Sequence, residues 1–286
     1  MLVSADFTIG ATTTRPSTRM AIPRSVRARV ASPKRFAPST RLRADWKRAP
    51  ESGGSSGCRS GSLPTSVDDS LRRSAQSARA EIRAGALRGA ALLDRLLSVP
   101  LVDRDAWADE LLGIESPPPD VPDLPRGSVP YLPCSVDEIV AMVLEVPLRP
   151  DDDFVDLGSG LGRVAILAHL LSGARARGVE IQEHLVRSGT ARCNELDLPV
   201  SFVHADAAGT ELDGSVFFLY APFNGEMLTR VLRRLEEVAR RRPIVLCAVD
   251  LELPALPWLR PRRTSRIALT LYASCVPGAA HRSHSK

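Results

Sequence analysis

The sequence predicts an α/β protein built on a doubly wound, mostly parallel sheet with an N-terminal helical extension. From residue 135 onward, short apolar runs of strand length alternate with helical segments of about 10 to 15 residues, the pattern of a parallel sheet with crossover helices. A glycine-rich loop at residues 158–162 joins the first of these strands directly to a helix. Upstream, apolar residues recur at helical spacing between Ser66 and Ser98, which indicates helices outside the sheet.

The N-terminal segment, residues 1–62, contains 12 basic and only three acidic residues and is rich in Ser, Thr, Pro and Ala. Such a composition buries too little apolar area to offset the entropy lost on folding, so we expect a disordered tail. Three roles are open: a solvated tail, an organelle transit peptide, or an arm that binds nucleic acid. Translation from Met20 would remove part of the segment.

Helices and a stiff connector are expected between this tail and the main domain. Ser66 supplies an N-cap hydroxyl with an acid three residues later, and the helical pattern that it opens continues to Ser98. A second helix is predicted over 104–112, and seven prolines within 117–133 make the next segment extended. The predicted parts are a tail at 1–65, a helical segment with its connector at 66–127, a main domain at 128–275 and a second tail at 276–286.

The cysteines indicate reduced thiols in an intracellular protein, expected in the cytoplasm unless the tail directs it to an organelle. All five are scattered with no Cys-x-x-Cys pair, in a chain long enough to fold without disulfides. No run of about 18 apolar residues occurs, so we expect no membrane span and no membrane partner. His281 and His284 lack further ligand types nearby, so no metal site is expected.

Capping and periodicity define the elements of the main domain. Ser135 and Glu138 form a capping box that opens a helix. The other helices are expected at 163–171, 182–196 and 226–241, and the strands at 153–157, 177–180, 200–204, 216–220, 244–249 and 266–273. About 17 residues separate the last two strands, so we expect the late part of the sheet to be abbreviated.

The segment Phe154-Val-Asp-Leu-Gly-Ser-Gly-Leu-Gly162 carries the strongest functional signal. Its glycines let the backbone turn sharply and approach a ligand, and the following helix presents free N–H groups, although a purely structural turn is the alternative. Glu180 ends the next strand, 22 residues after Gly158, where its carboxylate can accept both hydroxyl hydrogens of a ribose. Asp206 ends the third strand, where it either reaches an adenine amine or caps its own loop.

The spacing within this loop favours S-adenosylmethionine over a nicotinamide cofactor. A dinucleotide fingerprint requires a third glycine at position 163, which is Arg163 in this chain. Asp156, two residues before the glycines, suits a cofactor with an α-amino group and a sulfonium and serves a pyrophosphate poorly. A nicotinamide-dependent oxidoreductase is therefore the disfavoured alternative.

Over residues 128–275 the chain resembles class I S-adenosylmethionine-dependent methyltransferases, which have a Rossmann-like sheet. The segment 151–162 and the upstream Tyr131…Ser135-x-Asp137 are similar to the non-SET histone-lysine methyltransferases of the disruptor-of-telomeric-silencing family. In that family the Tyr-led segment folds over the methionine part of the cofactor. The resemblance implies that the cofactor-binding residues are Tyr131, Cys134 and Ser135 along the cofactor, Asp156, Gly158, Ser159 and Gly160 with Gly162 at its methionine end, Glu180 at the ribose, and Asp206 with Ala207 at the adenine.

After the fourth strand the sequence departs from that family. The family carries a pair of asparagines followed by aromatic residues, whereas this chain has Leu219-Tyr-Ala-Pro-Phe-Asn-Gly-Glu226. We expect Tyr220, Pro222 and Phe223 to wall the acceptor pocket and Asn224 to orient the acceptor. Tyr220 and Asn224 are thus the candidate catalytic residues, with simple packing as the alternative role of the two aromatic side chains.

The sequence therefore predicts a methyltransferase that uses S-adenosylmethionine and acts on an unidentified acceptor, either a protein lysine or a small molecule. The alternative is a catalytically silent cofactor-binding module. Such a module would dock on nucleic acid or an acidic partner through the basic tail at residues 1–62.

Overall fold

The computed structural model describes residues 69–275, whose core is a seven-stranded sheet. The strands are β1 (Asp153–Leu157), β2 (Arg175–Glu180), β3 (Ser201–His204), β4 (Val216–Tyr220), β5 (Val245–Val249), β6 (Leu259–Arg263) and β7 (Leu269–Ser274). They lie in the order β3-β2-β1-β4-β5-β7-β6, and β7 is antiparallel to both of its neighbours while the other pairs are parallel. The predicted doubly wound, mostly parallel sheet is confirmed.

Seven α-helices accompany the sheet in the described part of the chain. They are α1 (Asp69–Arg83), α2 (Gly89–Ser98), α3 (Arg104–Leu112), α4 (Val136–Glu145), α5 (Arg163–Ser172), α6 (Glu183–Leu196) and α7 (Gly225–Arg241). The helical pattern that the sequence shows through Ser98 is divided into α1 and α2. The division falls at Gly85, whose φ of 70° is left-handed and ends α1, since glycine adopts this conformation at low cost.

Several expectations concern residues that lie outside the described range. They are the disorder and the roles of the basic tail at 1–62, the N-cap at Ser66, and the second tail with its two histidines.

The sheet is complete at its late edge, so the expected abbreviation is wrong. The sequence pattern missed β6 because only Leu259 of that strand is buried and the other four residues are exposed. Charged side chains and a proline, Pro261, are typical of an edge strand, which no apolar alternation marks. The connection from β5 to β6 contains no helix, and β7 begins at Leu269, three residues after the predicted start at Arg266.

The N-terminal helices pack on the same side of the sheet as α5. Helix α2 contacts α5, α3 contacts α4, and α1 contacts α6. Trp107 on α3 is fully buried and donates a hydrogen bond from Nε1 to the Ser74 hydroxyl on α1 at 3.3 Å. Because α5 is covered by the sheet on one side and by α2 on the other, eight of its ten residues are buried.

One aromatic ring joins the glycine-rich loop to two neighbouring elements. The Phe202 ring of β3 lies against Gly162 at the start of α5, Gly178 of β2 and Gly189 of α6. A Cβ atom at Gly178 would lie 2.5 Å from the ring, far inside van der Waals contact. The three glycines therefore allow the close approach that holds the loop beside the end of β2.

Three further properties hold for residues 69–275. None of their helices is long and apolar enough to cross a membrane. They contain no group of three or more side chains that could hold a metal ion. Their cysteines, Cys134, Cys193, Cys247 and Cys275, are free thiols.

Candidate functional site

A cleft opens at the carboxyl ends of β1 to β4. It encloses about 700 Å³ of space, open solvent included. It lies where the strand order reverses between β1 and β4, the position at which open α/β sheets bind ligands. The residues that line it come from the ends of β2 and β3, the loops after β1 and β4, and the segment 128–132.

The loop after β1 makes the floor of the cleft and has an unusual backbone. Gly158, Gly160 and Gly162 all have positive φ, at 83°, 52° and 88°. A Cβ atom at Gly160 would overlap the Tyr131 ring, and one at Gly158 would overlap Pro222. Glycine is thus required both by the backbone conformation and by the side chains that lie against the loop.

Glu180 joins the loop to the end of β2. Its Oε2 accepts a hydrogen bond from the Gly160 N–H at 2.8 Å, and its Oε1 accepts one from the Gln182 N–H at 2.9 Å. The side chain is 6% exposed and lines the cleft. Each carboxylate oxygen has a second lone pair, so the group can still accept two hydroxyl hydrogens from a ligand.

Asp156 is buried beneath the loop, and it does not line the cleft. Its Oδ2 has no hydrogen-bond partner within the described residues. Burial and, to a lesser extent, the charge of Glu180 raise the pKa of this carboxyl to about 8, against the opposing effect of a hydrogen bond from the Ala165 N–H. A buried carboxyl oxygen without a partner is uncommon in folded proteins, and its predicted contact with the methionine end of the cofactor stays a prediction.

Asp206 and Ala207 line the cleft beyond β3. The sequence leaves two roles open for Asp206, a contact with adenine and the capping of its own loop. Asp206 caps its own loop, because its Oδ1 accepts a hydrogen bond from the Ala208 N–H at 2.8 Å. Its Oδ2 also lies 3.6 Å from the Arg230 guanidinium of α7. The capping role therefore operates, and the same side chain faces the predicted adenine end.

Two of the predicted cofactor residues, Cys134 and Ser135, lie outside the cleft lining. The Cys134 carbonyl accepts a hydrogen bond from Nη1 of Arg163 at 2.9 Å, and burial raises the pKa of its thiol. The Ser135 hydroxyl caps α4 by accepting a hydrogen bond from the Glu138 N–H at 3.3 Å. Both residues thus support the segment that carries Tyr131, which does line the cleft.

Four other predicted residues also lie outside the lining: Ser159, Gly160, Gly162 and Asn224. The Ser159 side chain is buried against Gly178, and the Phe202 ring lies against Gly162. Asn224 is exposed at the start of α7, where its N–H donates to the Gly127 carbonyl at 2.9 Å. Their predicted direct roles toward cofactor or acceptor remain predictions.

The acceptor end of the cleft is formed by the loop after β4. Tyr220, Pro222 and Phe223 line it, and Ala221 between them has a positive φ of 42°, a strained conformation for a residue with a Cβ atom. Burial raises the pKa of the Tyr220 hydroxyl, so this phenol keeps its proton at neutral pH. No lysine, arginine or histidine is among the described residues that line the cleft.

Sequence reasoning missed the residues that hold the proline-rich connector over the cleft. Gln182, 3% exposed, donates from Nε2 to Asp120 Oδ1 at 2.7 Å and accepts from the Val121 N–H at 2.9 Å. Asp120 Oδ1 also accepts from the Tyr131 N–H at 2.9 Å. No local pattern marks these side chains, because their partners are about 60 residues away in the chain.

Comparison with known proteins agrees with this geometry. The family described as Histone methylation protein DOT1 matches residues 131–207, which include Tyr131, the glycine loop, Glu180 and Asp206. The match ends before β4 and the acceptor loop. No curated protein matches the chain.

The chain also matches solved structures. An RNA methyltransferase from Salinibacter ruber in complex with S-adenosyl-L-homocysteine is 23% identical, with 54% of this chain and 100% of that chain covered and a TM-score of 0.40. A dimethyladenosine transferase from Plasmodium falciparum is 14% identical, with 42% of this chain and 44% of that chain covered and a TM-score of 0.37.

Proposed function

We propose that this chain, an S-adenosylmethionine-dependent methyltransferase, transfers the methyl group to an amine nitrogen and that a protein lysine supplies this amine. The observation that carries the choice of cofactor is the Glu180 carboxylate, which accepts a hydrogen bond from the Gly160 N–H at the switch point of the sheet and lines the cleft, whereas the choice of acceptor rests on the family match. The family whose description names histone methylation matches the segment that contains both residues.

The residues present fit this cofactor. Glu180 retains acceptor capacity for the ribose hydroxyls, and the unpartnered Oδ2 of buried Asp156 suits a cationic amino group. Asp206, Ala207 and Tyr131 line the same cleft, and the Tyr131 ring lies against Gly160, which supports their assignment to the adenine and methionine ends of the cofactor. When bound, S-adenosylmethionine supplies a methyl group that its sulfonium charge already activates.

The protein therefore has to align the acceptor and exclude water, which contributes on the order of 7–11 kcal/mol in well-oriented reactions. Pro222 and Phe223 supply apolar walls, and the protonated Tyr220 phenol can donate or accept one hydrogen bond to orient an amine. A protonated acceptor amine must also lose its proton before the transfer, and Glu180 and Asp206 are the carboxylates that line the described cleft.

Incubation with methyl-labelled S-adenosylmethionine and a fractionated lysate of the source organism tests the proposal. We expect label in protein, recovered as methyl-lysine after acid hydrolysis. Gly160→Ala should abolish labelling because the new Cβ overlaps the Tyr131 ring. Gly85→Ala is the matched control, since Gly85 also has positive φ but no atom lies within 4 Å of the position that its Cβ would take, and it should label normally.

The other outcomes of this experiment discriminate the alternatives. Label in small molecules or nucleic acid would overturn the lysine acceptor. Binding of S-adenosylmethionine in calorimetric titration without any labelling would favour the catalytically silent module. Such a module would also bind nucleic acid in a salt-dependent manner that requires residues 1–62.

A further inference from the structure

The connector between α3 and α4 crosses the cleft as a strap, which we define as residues 120–131. At its first end the strap is held by Gln182, which accepts from the Val121 N–H and donates to Asp120 at 2.9 and 2.7 Å. Near its other end it pairs with the loop after β4, where the Val129 N–H donates to the Pro222 carbonyl at 3.1 Å. The strap thus contacts both walls of the cleft.

A continuous set of hydrogen bonds and contacts links the strap to the carboxylate of Glu180. The Gln182 N–H donates to Glu180, and Glu180 in turn accepts from the Gly160 N–H. On the strap, Asp120 accepts from the Tyr131 N–H at 2.9 Å, and the Tyr131 ring lies directly over Gly160. Gln182 connects the two parts, because its backbone N–H donates to Glu180 and its side chain hydrogen-bonds to the strap.

We propose that Gln182 is the positioning residue that couples cofactor binding to the placement of the strap. Both polar atoms of its buried amide are used, one as acceptor for the Val121 N–H and one as donor to Asp120. A carboxylate of the same shape could not serve both partners, since it has no N–H to give to Asp120. This inference rests on the proposed function, since it assumes S-adenosylmethionine as the ligand of the cleft.

Gln182→Glu tests the inference with almost no change in side-chain shape. The variant keeps an acceptor for Val121 but places a carboxylate beside Asp120, so the strap should detach at this end. We expect the Kd for S-adenosylmethionine in calorimetry to rise about tenfold or more. Trypsin cleavage after Arg126, an exposed strap residue, should become faster, and S-adenosylmethionine should slow it in the wild type.

A charge swap separates positioning from a general loss of structure. In the double variant Gln182→Glu with Asp120→Asn, the new amide can donate to the new carboxylate and the second negative charge is gone. The Kd for S-adenosylmethionine should therefore move back toward the wild-type value, short of full recovery because the Tyr131 N–H bonds the same Asp120 oxygen as Gln182 does. Gln76→Glu is the matched control, because Gln76 makes the same kind of bond, to Glu110 at 2.9 Å, on the helices away from the cleft. It should leave the Kd and the Arg126 cleavage rate unchanged.

Each result decides one question. Equal Arg126 cleavage in Gln182→Glu and the wild type, or a double variant no better than the single one, would overturn the positioning role of Gln182. Absence of S-adenosylmethionine binding in the wild type would instead overturn the proposed function.

Discussion

At the scale of single residues, the buried carboxyl of Asp156 has the most measurable consequence. A pKa of about 8 in the folded protein exceeds the value of about 3.9 expected in the unfolded chain. Between these two values the folded state holds a proton that the unfolded state releases. The free energy of unfolding therefore falls as pH rises through this window, by up to about 1.4 kcal/mol per pH unit, and the loss is complete above pH 8.

We expect Asp156→Asn to flatten this dependence, because the amide cannot ionise. In urea denaturation of the ligand-free protein at pH 6, 7 and 8, the wild type should lose stability across the series and the variant should not. Asp151→Asn changes an exposed carboxylate five residues earlier, and this variant should show the same pH dependence of stability as the wild type. If the free energy of unfolding of Asp156→Asn fell with pH as steeply as that of the wild type, a group other than Asp156 would be responsible for the dependence.

At the scale of elements, Arg163 fastens the N-terminal helices to α5. Its guanidinium is 6% exposed and pairs with Asp109 and Asp105 of α3 while also donating to the Cys134 carbonyl. A cation in the first turn of a helix opposes the helix dipole, so the two carboxylates offset an unfavourable position. Arg163, which stands where a dinucleotide fingerprint requires glycine, thus connects α5 to α3 through ion pairs.

Asp109→Asn should reduce the free energy of unfolding by about 2 kcal/mol, because it leaves a buried charge with weaker compensation. The measurement is the urea midpoint at neutral pH. Arg175→Gln provides the comparison, since Arg175 also pairs with a carboxylate, that of Asp153, but is 65% exposed. That solvent-exposed pair should have a clearly smaller effect, because water screens it. Equal effects in the two variants would contradict the importance of burial.

At the scale of the whole molecule, the helices α1 to α3 are part of the structure that carries the cleft. They bury large apolar side chains, of which Ile82, Leu96, Trp107 and Leu111 are fully inaccessible to solvent. They also supply both acidic partners of Arg163. The boundary predicted near residue 128 therefore separates segments by sequence pattern, whereas the packing joins them.

A chain that begins at residue 116 should lose cooperative unfolding and S-adenosylmethionine binding, since it exposes α5 and leaves Arg163 without its carboxylates. A chain that begins at residue 69 keeps all three helices and should retain both properties. Circular dichroism during urea titration and calorimetry with the cofactor provide the measurements. Cooperative unfolding of the shorter chain at the same midpoint would show that the helices are dispensable.

The parallel sheet, the glycine loop and the acid at the end of β2 were all predictable from the amino-acid order. Each depends on local rules: apolar periodicity, the freedom of glycine at positive φ, and the spacing between consecutive strands. These rules did not predict the charged edge strand β6, because it buries only one residue and shows no apolar periodicity. Folding in three dimensions was needed to place Gln182 against Asp120, Arg163 against Asp109, and the strap against the loop after β4. Those contacts join residues more than 50 positions apart, and which polar groups meet at such separations is decided by how the helices and strands pack.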